Sequence, residues 1–368
     1  MKTTISAFAA FALCLFPAAS QAANNDAGSW DSKAAAAYLD QRADWWMGWD
    51  QSVRDHDTHC VSCHTALPYA LGRPALRAAL GEKSPSAPEQ KLLANVTRRV
   101  RLWNELEPFY SDEKRGAPKT AESRGTEAVL NALILSNYDA HAGKLSDDAR
   151  LALDNMWALQ LKTGDAKGAW NWLNFHNQPW EAEDSQFWGA TLGAIAIGTA
   201  PGGYGSSPEI QSNLKLLSEY LQRGLPGQSL INRVFLLWAS AKTPGILKTE
   251  QQKSIIDEVL NKQQPDGGWN TSSLVMANWK RRDGTPLDAG SDGYGTGLVA
   301  YVLQEAGVAR TQPALKNALS WLTHNQDKAA GQWLAYSLNK QRDPASDIGR
   351  FMVDAATSYS VLALSDGK

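Results

Sequence analysis

Cysteine is almost missing from this chain. There are three in 368 residues, and one of them, Cys14, sits in an N-terminal segment that reads as cleaved. A disulfide framework is therefore excluded. Charge of one sign is missing too: 36 Lys and Arg face 38 Asp and Glu, for a net charge of −2. With no basic stripe, binding to nucleic acid or an anionic membrane is excluded. Past the first 22 residues no apolar run is long enough to span a bilayer, so the mature chain carries no transmembrane segment. Strand-like alternation of apolar and polar residues is also lacking.

The N-terminus has the layout of an export signal. Lys2 supplies the positive region, Ile5 to Phe16 the apolar core, Pro17 ends it, and Ser20-Gln21-Ala22 offers small residues ahead of Ala23. Residues 1–22 are read as a cleaved signal peptide that sends the chain to the periplasm. Leu13 before Cys14 does not suit a lipoprotein box, so the mature chain keeps only Cys60 and Cys63.

Those two cysteines belong to Cys60-Val61-Ser62-Cys63-His64, a C-x-x-C-H run. This spacing is the attachment signature of c-type haem: two thiols bond to the vinyl groups and the adjacent histidine binds the iron. The expectation is one covalent haem c held by Cys60, Cys63 and His64, with an electron-transfer or redox role and an unspecified redox partner. Two other readings of the residues stay open. One is a C-x-x-C redox pair or disulfide; the other is a zinc site drawn from His56, His59, Cys60, Cys63 and His64.

What is abundant is tryptophan, 15 residues, and several fall in a repeat. An amphipathic segment, a glutamine and a Gly-x-Trp turn recur as Gln160…Gly168-Ala169-Trp170, Gln263…Gly267-Gly268-Trp269 and Gln326…Gly331-Gln332-Trp333. Thr249-x-x-Gln252 reads as a capping box, and Pro313 as a helix start. Segments apolar nearly all round alternate with these: Thr126 to Leu135, Ser185 to Ile197, Leu230 to Ala241, Asp292 to Gln304 and Val353 to Leu364. Such helices are buried on both sides. Adding Lys33–Trp46 with His59–Leu80 makes six hairpins of roughly 45–65 residues each. The fold class is all-α, an (α/α)6 toroid. Residues 23–86 form the first hairpin, with the C-x-x-C-H run, and 87–368 the remaining repeats of the same domain.

The Gln…Gly-x-Trp turns resemble the QW repeats of squalene–hopene and oxidosqualene cyclases and of the related prenyltransferase subunits, over about residues 90–366. One of the three turns has the usual spacing and two carry insertions. The resemblance implies that Gln160, Trp170, Gln263, Trp269, Gln326 and Trp333 tie helix ends together. It also invites comparison of Glu181-Ala182-Glu183-Asp184 with the cyclases' Asp-x-Asp-Asp acid. Two of those aspartates are glutamates here, so Glu183 and Asp184 are catalytic candidates only for the runner-up reading. The prenyltransferase zinc ligands have no match.

In a closed ring of six hairpins the last inner helix neighbours the first. Met352 then reaches the same mouth as His64 and is the expected second axial iron ligand, ahead of Met47 and His56; an open site and a packing methionine are the alternatives. His176 is placed at the cavity mouth, and His141 and His324 on the surface. The leading expectation is a periplasmic haem protein on a cyclase-like toroid, with an apolar small molecule in the central cavity. The alternatives are a haem-free cyclase-like enzyme (an isomerase or lyase) using Glu181–Asp184, and a non-catalytic module for an apolar ligand.

Overall fold

The computed structural model describes residues 29–365; the leader 1–22 and Cys14 lie outside the described residues. Twelve helices form six hairpins, the first member of each outer and the second inner. They are α1 (Ser32–Trp46) with α2 (Ala66–Leu80), α3 (Ala87–Arg101) with α4 (Lys119–Ala142), and α5 (Asp147–Ala158) with α6 (Ser185–Thr199). The ring continues with α7 (Gln211–Gly224) and α8 (Leu230–Lys242), α9 (Thr249–Leu260) and α10 (Gly293–Glu305), and α11 (Pro313–His324) and α12 (Arg350–Ser365). Each inner helix packs on the next, and α12 returns to α2. The ring is closed, and the α/α toroid read from the sequence is the fold.

Burial explains the two layers. In α9 only Ile255 and Val259 are buried, and in α7 only Leu217 and Leu221, so one stripe meets the inner ring. In α10 every residue from Gly293 to Leu303 is buried, as a helix enclosed on both sides requires.

The Gln…Gly-x-Trp turns do the tying. The indole of each tryptophan donates to a carbonyl near the end of the preceding outer helix: Trp170 to Met156 at 2.6 Å, Trp269 to Val259 at 2.8 Å and Trp333 to Leu322 at 2.7 Å. Each glutamine amide reaches the start of the next outer helix, at Asn213, Ala314 and Asp31. The last of these closes the ring. Gln326 donates to the Asp31 carbonyl at 2.9 Å and accepts from its amide at 2.6 Å, across 295 positions of sequence. Gly331 is needed there, since its φ is +72° and a Cβ would lie 2.1 Å from the Ala34 carbonyl oxygen.

Two local expectations shift. The box at the start of α9 forms one residue early, with Gln251 Oε1 accepting from the Lys248 amide, because Gln252 instead donates to Ser240 on α8. The chain also holds one minimal hairpin, Val53–Arg54 against Thr58–His59, turning through His56 and Asp57 at φ of +54° and +51°. Left-handed residues at both turn positions match strand twist.

The toroid has no open bore. Trp188, Phe235 and Tyr359 meet edge to face at its centre, with ring centroids 5.6 and 6.1 Å apart, and Tyr294 joins Tyr359 at 5.6 Å. A separate hollow of 550 Å³ lies at the far mouth, where the inner helices end, lined partly by alanines and the Lys242–Glu305 ion pair.

Candidate functional site

The opposite mouth gathers the loops that lead into the inner helices. The C-x-x-C-H run precedes α2, as its position in the sequence implies. Ser62 Oγ accepts from the free amides of Thr65 and Ala66, at 3.3 and 2.9 Å, which starts the helix. Trp46, at the end of α1, fixes the run from below by donating to the Cys60 carbonyl at 2.7 Å.

His64 stands at the meeting point of two cavities. Its ring stacks on Phe351 at 3.7 Å and meets the edge of Trp46 at 5.0 Å. A cleft of 780 Å³ opens on one side, with Trp49, Arg54, Tyr110, Lys114 and Arg115 on its walls. On the other side is a pocket of 180 Å³ bounded by Trp180, Glu181, Asn177, Asn339, Arg342 and Met352. His64, Ile348 and Phe351 line both, so the two form one binding surface.

The carboxyl groups of the Glu181–Asp184 segment separate. Glu183 is exposed and pairs with His176 Nδ1 at 2.8 Å, a contact that lowers its pKa. Asp184 accepts from Gln178 at 2.7 Å and from Ser229 and Asn232 at 3.1 Å, locking the loop to α8. Glu181 turns inward. The side chain is half-buried, and its desolvation lifts the carboxyl from 4.5 to about 7, against weaker lowering by Asn177 and Lys119. Glu183 reaches solvent, whereas Glu181 lines the small pocket. The neighbouring isolated bridge, Asn177 to Glu181, holds the loop so that this side chain faces the pocket.

The other sequence-picked residues scatter. Cys60 and Cys63 are free thiols, 8% and 4% exposed. Burial pushes Cys60 up to about 12 and raises Cys63 well above the usual thiol range, which favours the thiol over the thiolate at both. His56 is exposed and faces Asp55, His59 bonds to Ser52, and Met47 is packed at the end of α1. Among the described residues no three His, Cys, Asp or Glu side chains converge as a metal site, which removes the zinc alternative. Met352 shares the small pocket with His64, as ring closure implied. His176 is exposed against Trp279 at 4.7 Å, outside the pocket lining. Asn177, Trp180, Asn339 and Arg342 were not singled out in the sequence, since they sit in loops without periodicity, and Phe351, in the first turn of α12, carries no motif.

No protein-family model matches the chain, and no curated protein matches it. Solved structures do. A glycosyl hydrolase of family 88 from Bacteroides vulgatus is 12% identical, with 90% of this chain and 97% of that one aligned at a TM-score of 0.52. A wild-type glycosidase is 12% identical over 90% and 98% of the two chains at 0.50. A polysaccharide lyase is 14% identical over 90% and 96% at 0.49. At such identity the likeness establishes the shared toroid. The expected function, a cytochrome-like electron-transfer protein using haem iron, is corrected by these findings. The neighbours are toroids named as a glycosyl hydrolase and a glycosidase, and no three His, Cys, Asp or Glu side chains converge among the described residues. The chain is an α/α toroid with a polar, aromatic-walled site at one mouth.

Proposed function

We propose that this chain is an exported, haem-free enzyme that cleaves a carbohydrate by general acid catalysis, with Glu181 as the proton donor. The observation that carries the reading is Glu181 itself: a carboxyl held near pH 7 by burial, at the edge of a pocket joined to an open cleft. A general acid works best with a pKa close to the working pH. Trp180 and Phe351 supply flat apolar walls, while Asn177, Asn339 and Arg342 supply donors suited to hydroxyl groups. The names of the structural neighbours, a glycosyl hydrolase and a glycosidase, support the substrate class.

The terpene-cyclase form of the alternative is less well supported. Its resemblance rests on turns that tie helices, and a polyprene needs a deep apolar cavity, whereas Trp188, Phe235, Tyr294 and Tyr359 occupy the centre. The leader-like residues 1–22 support export to the periplasm.

The test is a panel of neutral and uronate-containing oligosaccharides and polysaccharides. Both new reducing ends and the ultraviolet absorbance of an unsaturated product are followed, so hydrolysis and elimination are each visible. Cleavage that falls at least about 100-fold in Glu181→Gln is expected. No cleavage across the panel, or cleavage that survives the substitution, defeats the reading.

A further inference from the structure

The small pocket is lined by one carboxyl group, Glu181, and not by the facing pair of ordinary glycoside hydrolysis, while the adjoining cleft carries Asp55 and Glu107. A second group has to orient the incoming water or substrate hydroxyl, and the hydrogen bonds behind His64 single it out. Asp354 on α12 is buried and accepts from Arg42 at 2.8 and 3.1 Å and from the Tyr38 hydroxyl at 2.8 Å. Paired with that guanidinium it is an acceptor only. Thr65 therefore donates its single hydroxyl proton to Asp354 Oδ2, at 2.7 Å. His64 Nδ1 lies 2.9 Å from the same Thr65 oxygen. That oxygen has no further proton to give, so Nδ1 carries the hydrogen and Thr65 accepts. A neutral imidazole has one N–H, which leaves Nε2 with an unshared lone pair.

We propose that His64 is a hydrogen-bond acceptor of fixed tautomer, set by the Thr65–Asp354–Arg42 relay, whose Nε2 orients the O–H of a water or sugar hydroxyl against Glu181. This rests on the carbohydrate-cleavage reading of the same pocket. Stacking on Phe351 and the edge of Trp46 fix the ring plane, as the hydrogen bond fixes its tautomer. The role is orientation and not proton storage, because burial and the nearby Arg42 charge both disfavour the imidazolium. Thr65 and Asp354 are positioning residues that act through His64.

Nitrogen NMR of the full-length protein labelled at histidine tests this without any substrate. The chain has six histidines, and His64 is assigned by the resonances lost in His64→Asn. The wild type should show one imidazole with a protonated Nδ1 and an unprotonated Nε2. Thr65→Val should give a mixture of tautomers, and Thr65→Ser should restore the single one. An Nε2–H tautomer, a metal-ligated Nε2, or a wild-type spectrum in Thr65→Val overturns the proposal; if the valine variant does not fold, the wild-type tautomer alone decides. In the cleavage assay Thr65→Val should lose about tenfold in kcat with KM little changed and Thr65→Ser should recover it. The expected tautomer without any cleavage would fail the carbohydrate reading and leave the fixed acceptor standing.

Discussion

Glu181→Gln separates a raised carboxyl from an ordinary one through stability alone. The folded protein lifts this group from 4.5 to about 7. Between those two values the folded state binds more protons than the unfolded chain, so stability must fall as pH rises through the window. Below 4.5 both states are protonated and Glu181 adds nothing; above about 7 both are ionised and the folded state carries the full cost of a buried charge. Taken at face value the shift is worth about 3 kcal/mol. Part of the side chain faces the solvent-connected pocket, and screening there reduces the figure to about 1–2 kcal/mol. Glutamine keeps the shape and removes the charge. Urea unfolding of the two proteins should therefore give equal stabilities at pH 4.5 up to a constant offset, with the variant gaining about 1–2 kcal/mol on the wild type by pH 8. A difference that stays constant across the range would show that Glu181 titrates normally, and the acid assignment would fall with it.

Three further outcomes follow from the frame. Arg99 and Glu127 form an ion pair with both side chains fully buried, so Arg99→Met strands a carboxylate in the core and should cost about 3–5 kcal/mol in urea unfolding; a cost below about 1 kcal/mol would mean that water reaches Glu127. Gln326→Ala removes both bonds that close the ring at Asp31 and should cost about 1–3 kcal/mol, with faster amide exchange at the start of α1; unchanged exchange there would show that closure rests on packing alone. Denatured protein should titrate two free thiols, Cys60 and Cys63, and its intact mass should equal that of the polypeptide, whereas a gain of one haem would return the redox function to consideration.

The architecture was legible because its determinants are local or repeated. The inner segments read as Ser185 to Ile197 and Leu230 to Ala241 end within two residues of α6 and α8. A helix enclosed on both sides advertises itself by lacking a polar face. The glutamines and tryptophans of the turns could be assigned from spacing, since each bonds within its own repeat or to the next. The site was not legible in the same way. His64 takes its tautomer through Thr65 from Asp354, which lies 289 positions beyond Thr65, and its stacking partner Phe351 comes from the last helix. The Cys60–His64 run was the sharpest motif in the chain, yet a motif states which atoms are near one another in sequence and not whether they are buried. Burial favours the thiol at both cysteines, and that could not be read from their spacing.

Glu181 shows why carboxylates of one loop end with opposite properties. Asp184 lies at the start of α6, where its carboxylate accepts from Gln178, Ser229 and Asn232. Asp292 and Asp354 are raised by burial, but each is answered. The first accepts from Thr271 and the Gly295 amide, capping α10, and the second has Arg42. These acids are consumed in starting and joining the inner helices. Glu181 lies three positions ahead of the helix cap, beyond the reach of the helix amides, and only Asn177 and the charge of Lys119 oppose its burial. The toroid thus uses most of the acids at this mouth as structural acceptors and leaves one proton-holding carboxyl beside the cleft. That distribution, more than the number of acids in the loop, sets Glu181 apart from the other carboxyl groups of its loop.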